Sequence, residues 1–166
     1  MSSRSRRTAA VVVTGVVATD QLSKHLILNN IDADDRIHVV GPLHIVRRFN
    51  TGGAFSVGDG QNLFPWIVSF LVLILVTWFV RSLFRHDPRL RGMSLVALSA
   101  MVGGALGNQM DRLFRGPGWN RGAVVDFLAT GFWPVFNLAD SALFCGALTI
   151  AAIAFRSAPR SGDRST

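Results

Sequence analysis

The chain has 166 residues with 49% apolar and only 16% charged content, a mean hydropathy of +0.36 and a net charge of +7. That length bounds it to one domain, and that composition excludes a disordered chain and argues for a membrane protein. The basic excess would suit nucleic acid, but the positions of the basic residues, taken up below, give it another use.

Arg4, Arg6 and Arg7 precede an apolar run from Thr8. This start imitates a secretory signal, with Val16-Val17-Ala18 as a small-residue cleavage site. The apolar pattern nevertheless resumes at Leu22, Leu26 and Ile27, so a continuous helix over about 8–28 is predicted. Asp20 and Lys24, four residues apart with the acid first, are placed to pair on one face of it.

A segment over about 32–58 follows. Ile37, Val39, Leu43 and Ile45 alternate with His38 and His44 around Gly41-Pro42, which predicts a β-hairpin over Arg36 to Val46. The two histidines lack further ligands at metal-binding spacing and are expected to face solvent. Phe49-Asn50-Thr51-Gly52-Gly53-Ala54-Phe55-Ser56 marks a tight glycine turn fit for close approach of backbone to a ligand.

Gln61 to Val80 is 20 residues without a charge and Gly92 to Met110 is 19, each enough to cross a hydrocarbon core of about 30 Å. Helices over about 62–84 and 92–113 are predicted. The first reads as lipid-facing scaffold with Trp66 and Trp78 near its ends. The second is rich in small residues from Ser99 to Gly107, which suits close helix packing, and ends on Asn108, Asp111 and Arg112.

A last helix is predicted over about 134–155, with Pro134 at its first position. Asp140 would then lie about 9 Å down its axis, Asn137 one turn nearer the surface and Asp126 just before it. Cys145, the sole cysteine, excludes an internal disulfide and is expected to be a small buried apolar side chain.

Four crossings put Arg4 to Arg7, Arg81 to Arg91 and the tail after 155 on one side, which the positive-inside rule makes cytoplasmic. The expected architecture is an all-α membrane protein, a four-helix bundle with a small extracytoplasmic β-hairpin between helices one and two, and short basic tails at 1–7 and 156–166. In that topology Asp20, Lys24, Asn108, Arg112, Asn137 and Asp140 fall in one layer near the outer surface, with Asn50 and Asp126 above them. Carboxylates in an apolar span point to function. Metal binding is disfavoured, since the layer holds few oxygens and no histidine. Two readings remain: a proton- or cation-coupled transporter, and acid–base hydrolysis by a carboxylate pair sharing one proton.

Five segments carry a resemblance: Asp20-Gln21-Leu22-Ser23-Lys24, Asn50 to Ser56, Gly103 to Arg112, Val124-Val125-Asp126-Phe127 and Phe136-Asn137-Leu138-Ala139-Asp140-Ser141. In this order the chain resembles the bacterial lipoprotein signal peptidases, the signal peptidase II family, from about Thr8 to Phe155. Gly53 departs from the alanine common there, and the interval from Asp126 to Asp140 is shorter than in several members. The resemblance implies an inner-membrane aspartic endopeptidase that cuts prolipoproteins before a diacylglyceryl-cysteine and is inhibited by globomycin. It implies Asp126 and Asp140 as the catalytic dyad, with Asn50, Gly52, Asn108, Arg112, Asn137 and Ala139 lining the substrate site. Asp20 and Lys24 would support them. No cofactor, no nucleic acid and a monomer among membrane lipids are expected.

Overall fold

The computed structural model describes residues 2–51, 67, 70, 71, 74, 75, 77, 78, 91–117 and 121–157. Within them the chain is mostly helical with one small sheet: α1 (Ser3–Asn30), β1 (Arg36–Val40), β2 (Leu43–Asn50), α2 (Arg91–Phe114), β3 (Val124–Ala129) and α3 (Leu138–Ser157). Most of the second predicted helix, including Trp66, lies outside the described residues, as do Gly52, Gly53 and the tail beyond 157. The described positions from 67 to 78 are helical and, except for half-buried Thr77, exposed.

Helix α1 opens on Ser2, whose hydroxyl accepts the Ser5 N–H at 3.1 Å. It runs unbroken through Asp20 and Lys24. Its 28 residues exceed the predicted span, because Arg4 to Arg7 extend the helix past the apolar run. Among the described residues, α1 and α3 are long and apolar enough to cross a membrane by length and composition. Helix α2 has 24 residues, and its small side chains give its core packing but a weaker apolar signal.

Two glycines fix how closely the helices approach. A Cβ at Gly104 would fall on the carbonyl oxygen of Ala139 in α3, and one at Gly107 would stand 2.6 Å from Asp20 Oδ2 in α1. Hydrogen in place of a side chain therefore lets α2 lie against both neighbours at their polar ends. Below, Ala97, Met101 and Ile150 form a core with Leu98 and Leu143.

The sheet order is β1-β2-β3, all antiparallel. Gly41, with φ +52°, makes the β1–β2 turn that a β-branched residue would resist. The predicted hairpin is present, but β2 continues to Asn50 and a third strand, β3, joins it. Ile27, Val125 and Phe127 pack together with Leu28, Ile45 and Leu128, so the sheet rests on the C-terminal end of α1.

The last helix begins at Leu138, so Pro134 precedes it and does not occupy its first position. The reason is local. Phe136 exchanges backbone hydrogen bonds with Leu128, which holds residues 134–136 extended against β3. Cys145 is exposed, contrary to the buried position expected of it, because it borders an open cavity between α2 and α3.

Candidate active site

Asp126 sits mid-strand in β3, opposite Arg48 of β2. Asn50, two residues on from Arg48, shares that face because side chains alternate along a strand. Its amide donates to Asp126 Oδ2 at 3.0 Å. The other carboxylate oxygen, Oδ1, accepts from Asn137 Nδ2 at 2.7 Å.

Asn137 is the N-cap of α3. Its Oδ1 accepts the Asp140 N–H at 2.9 Å, while its own N–H donates to Asp140 Oδ2 at 3.2 Å. This reciprocal pair is a capping box with aspartate in the third helical position. Asp140 is thus in the first turn and not a turn and a half down the axis. One asparagine holds both carboxylates, Asp126 through its side chain and Asp140 through its backbone.

A second asparagine closes the arrangement. Asn108 Nδ2 donates to Asp140 Oδ1 at 2.7 Å, and Asn108 Oδ1 accepts from Asn137 Nδ2 at 3.1 Å and from Lys24 Nζ at 3.0 Å. Lys24 is fully buried, and its ammonium also meets Asp20 Oδ2 and Asp111 Oδ2, each at 2.8 Å. Asp20 Oδ1 accepts the Ala139 N–H at 3.0 Å, satisfying another free donor at the start of α3. The predicted Asp20–Lys24 pair exists and reaches the carboxylates through Asn108.

Arg112 is half-buried, within electrostatic reach of Asp140, Asp111 and Asp126, and its Nε–H has no hydrogen-bond partner among the described residues. The Asp111 carboxylate bonds to Lys24 and Arg115 and not to its neighbour Arg112. Ala139 is completely buried against Gly107, so here its small size serves packing. Ser23 donates to the Asp20 carbonyl, which ties its hydroxyl to its own helix. His38 is exposed and His44 half-buried, the two meet edge to face at 5.3 Å, and no group of three or more metal-ligating side chains occurs among the described residues.

Burial is the largest influence on Asp126, followed by the opposing Asn50 hydrogen bond and the charge of Asp140, and its pKa is pushed up to about 6. A carboxyl that titrates near neutrality can both hold and release a proton at working pH. Beside it lies a cavity of about 700 Å³ with nearly apolar walls that include Phe132, Trp133, Phe136 and Phe144, as well as Asp140 and Ser141.

Asparagine amides orient two carboxylates, the buried Asp126 and the half-buried Asp140, in an arrangement suited to acid–base hydrolysis. Comparison with known proteins gives the family. The family described as Signal peptidase (SPase) II matches residues 12–156. The chain belongs to the signal peptidase II family. It is 42% identical over 149 residues to a lipoprotein signal peptidase of Rhodococcus jostii, covering 87% of this chain and 71% of the relative. A lipoprotein signal peptidase of Streptomyces coelicolor is 35% identical over 154 residues, covering 91% and 72%. A solved structure described as a bacterial membrane enzyme superposes with a TM-score of 0.72 at 30% identity, covering 91% of this chain and 94% of its own. This signal peptidase II is therefore an aspartic-type endopeptidase and a bacterial membrane protein.

The sequence did not reveal the contact of Asp111 with Lys24 and Val125, or β3 as a strand. The first had a faint signal, an aspartate three residues after Asn108 and so on nearly the same helix face. The second had Val124-Val125 with Phe127, a β-prone run hidden by the attention its aspartate drew.

Proposed function

We propose that this enzyme removes signal peptides from prolipoproteins, cutting before a diacylglyceryl-modified cysteine, with Asp126 and Asp140 as the catalytic dyad. The observation that carries the reading is the shared hold of Asn137 on both carboxylates. The names of the relatives support the substrate class. The apolar cavity supports it independently, since a signal peptide brings a hydrocarbon-like segment to the carboxylate that shares its walls.

In the proposed mechanism the pair holds one proton. Asp126, whose carboxyl burial pushes up to about 6, donates it as a hydrogen bond to the scissile carbonyl oxygen. Asp140 takes a proton from a water, and the oxygen of that water adds to the carbonyl carbon. The C–N bond of the tetrahedral intermediate then breaks as the proton passes to the departing amine of the lipidated cysteine, and the pair recovers its single proton. Asn50, Asn108 and Asn137 orient the carboxyls, while Arg112 supplies positive charge within electrostatic reach of both. Gly52, which follows Asn50 by two residues, completes the proposed substrate site.

The proposed topology is four crossings with both termini cytoplasmic and the sheet outside, which puts the dyad beneath the outer headgroups where a signal-peptide cut site lies.

The test is incubation with a diacylglyceryl-modified precursor and a mass measurement of the released peptide. Asp126→Asn and Asp140→Asn are each expected to remove cleavage while the protein remains folded. Full activity in either variant would overturn the dyad.

A further inference from the structure

Asp111 is fully buried and accepts four donors. Gln21 Nε2 at 3.0 Å and Arg115 Nε at 2.7 Å meet its Oδ1, while Lys24 Nζ at 2.8 Å and the backbone N–H of Val125 at 3.1 Å meet its Oδ2. The last bond is the informative one. Along β3, the N–H groups of Val125 and Phe127 point away from β2. Phe127 finds a partner in the Phe136 carbonyl. Among the described residues no strand flanks Val125 there, and the Asp111 carboxylate stands where a neighbouring strand's carbonyl would.

We propose, building on the assignment of the Asp126–Asp140 dyad, that Asp111 is a positioning residue for Asp126. It grips the Val124–Val125 peptide, one removed from the catalytic aspartate, and locks it to Lys24, which through Asn108 also sets Asp140. The Val125 carbonyl is held in turn by Asn137 Nδ2 at 3.4 Å, so the peptides on both sides of Val125 are fixed by residues that contact the site. Charge is required, and shape alone is insufficient. An asparagine at 111 matches the volume, but its NH2 group would confront either Lys24 and Val125 N–H or Arg115 and Gln21, all of them donors. A buried donor left without an acceptor is destabilising, and β3 would shift to relieve it.

The consequence is legible in pH dependence. The charged groups near Asp126 among the described residues are Asp140 of α3, Lys24 of α1, Arg112 of α2 and its cross-strand neighbour Arg48 of β2, whose guanidinium donates to the Ala33 carbonyl. If β3 loosens, water reaches Asp126, the burial that raises its pKa weakens, and the pair loses its shared proton at lower pH. The alkaline limb of the kcat/KM profile moves toward acid.

The experiment compares wild type, Asp111→Asn, Arg115→Gln and Asp126→Asn on the lipidated precursor in detergent, with kcat, KM, pH profile and Tm recorded for each. Asp111→Asn is expected to lower kcat about a hundredfold, the scale of a small misplacement of a reacting group, with KM little changed and the alkaline limb shifted to lower pH. Arg115→Gln removes a donor from the other oxygen and leaves Val125 gripped, so it is expected to lower Tm while kcat and the limb stay at wild-type values. An Asp111→Asn enzyme that melts earlier but keeps the wild-type kcat and limb overturns the inference. Should that variant not fold, hydrogen exchange at Val125 in the native protein decides: protection equal to that of Phe127 supports the grip, and fast exchange overturns it. Retained activity in Asp126→Asn would instead defeat the dyad assignment itself, a separate outcome.

Discussion

Asn137 carries two duties that are seldom combined. As an N-cap it satisfies a backbone donor at the start of α3, and as an amide donor it fixes Asp126. Asp126 itself is held against its own preference for water. Its pKa lies near 6 in the fold against 3.8 ordinarily, so between those values the folded chain binds more protons than the unfolded one. Stability therefore falls as pH rises from about 4 to about 6, by about 3 kcal/mol at most. Asp126→Asn removes this loss. Its Tm relative to wild type is expected to rise between pH 4 and pH 7 in thermal unfolding, and a constant difference would contradict the burial argument.

At the scale of elements, α2 is the member that the others are built against. Its glycines admit the backbone of α3 and the carboxylate of α1 at the level of the site. Gly104→Val is expected to destabilise by roughly 1–3 kcal/mol through overpacking, and to lower activity with it. The atom in the way is a backbone carbonyl in the turn that carries Asp140, so relief requires moving that turn. Gly92→Ala is the matched control, because a Cβ there meets nothing within 4 Å. Equal Tm values for the two variants would contradict this account of the α2–α3 contact. The buried Asp20–Lys24–Asp111 group spans the same contacts, and removing the lysine would leave two carboxylates without their common counter-charge.

Over the whole molecule, the helices set a depth and the sheet sets a roof. Basic residues at both ends and polar groups at one level imply an orientation that labelling can check. In a Cys145→Ala background, His38→Cys is expected to react with a membrane-impermeant thiol reagent added from outside, and Arg4→Cys only after the membrane is opened. The reverse pattern would invert the proposed topology.

The apolar runs, the Asp20–Lys24 spacing, the alternation over 36–46 and the candidate aspartates were legible in the chain itself, because each depends on neighbours within a few residues. Pairing of Asp126 with Asn50, the grip of Asp111 on Val125 and the meeting of Asn137 with Asn108 join residues from 14 to 76 positions apart. No local periodicity encodes those separations. The start of α3 was misjudged for the same reason: Pro134 favours a helix locally, but Phe136 gains more by pairing with Leu128 across the site. Composition and spacing thus determined which side chains were available. Only the tertiary structure decided which carboxylate is desolvated and which donor each oxygen accepts, since hydration and hydrogen-bond partners follow from contacts between segments remote in the chain.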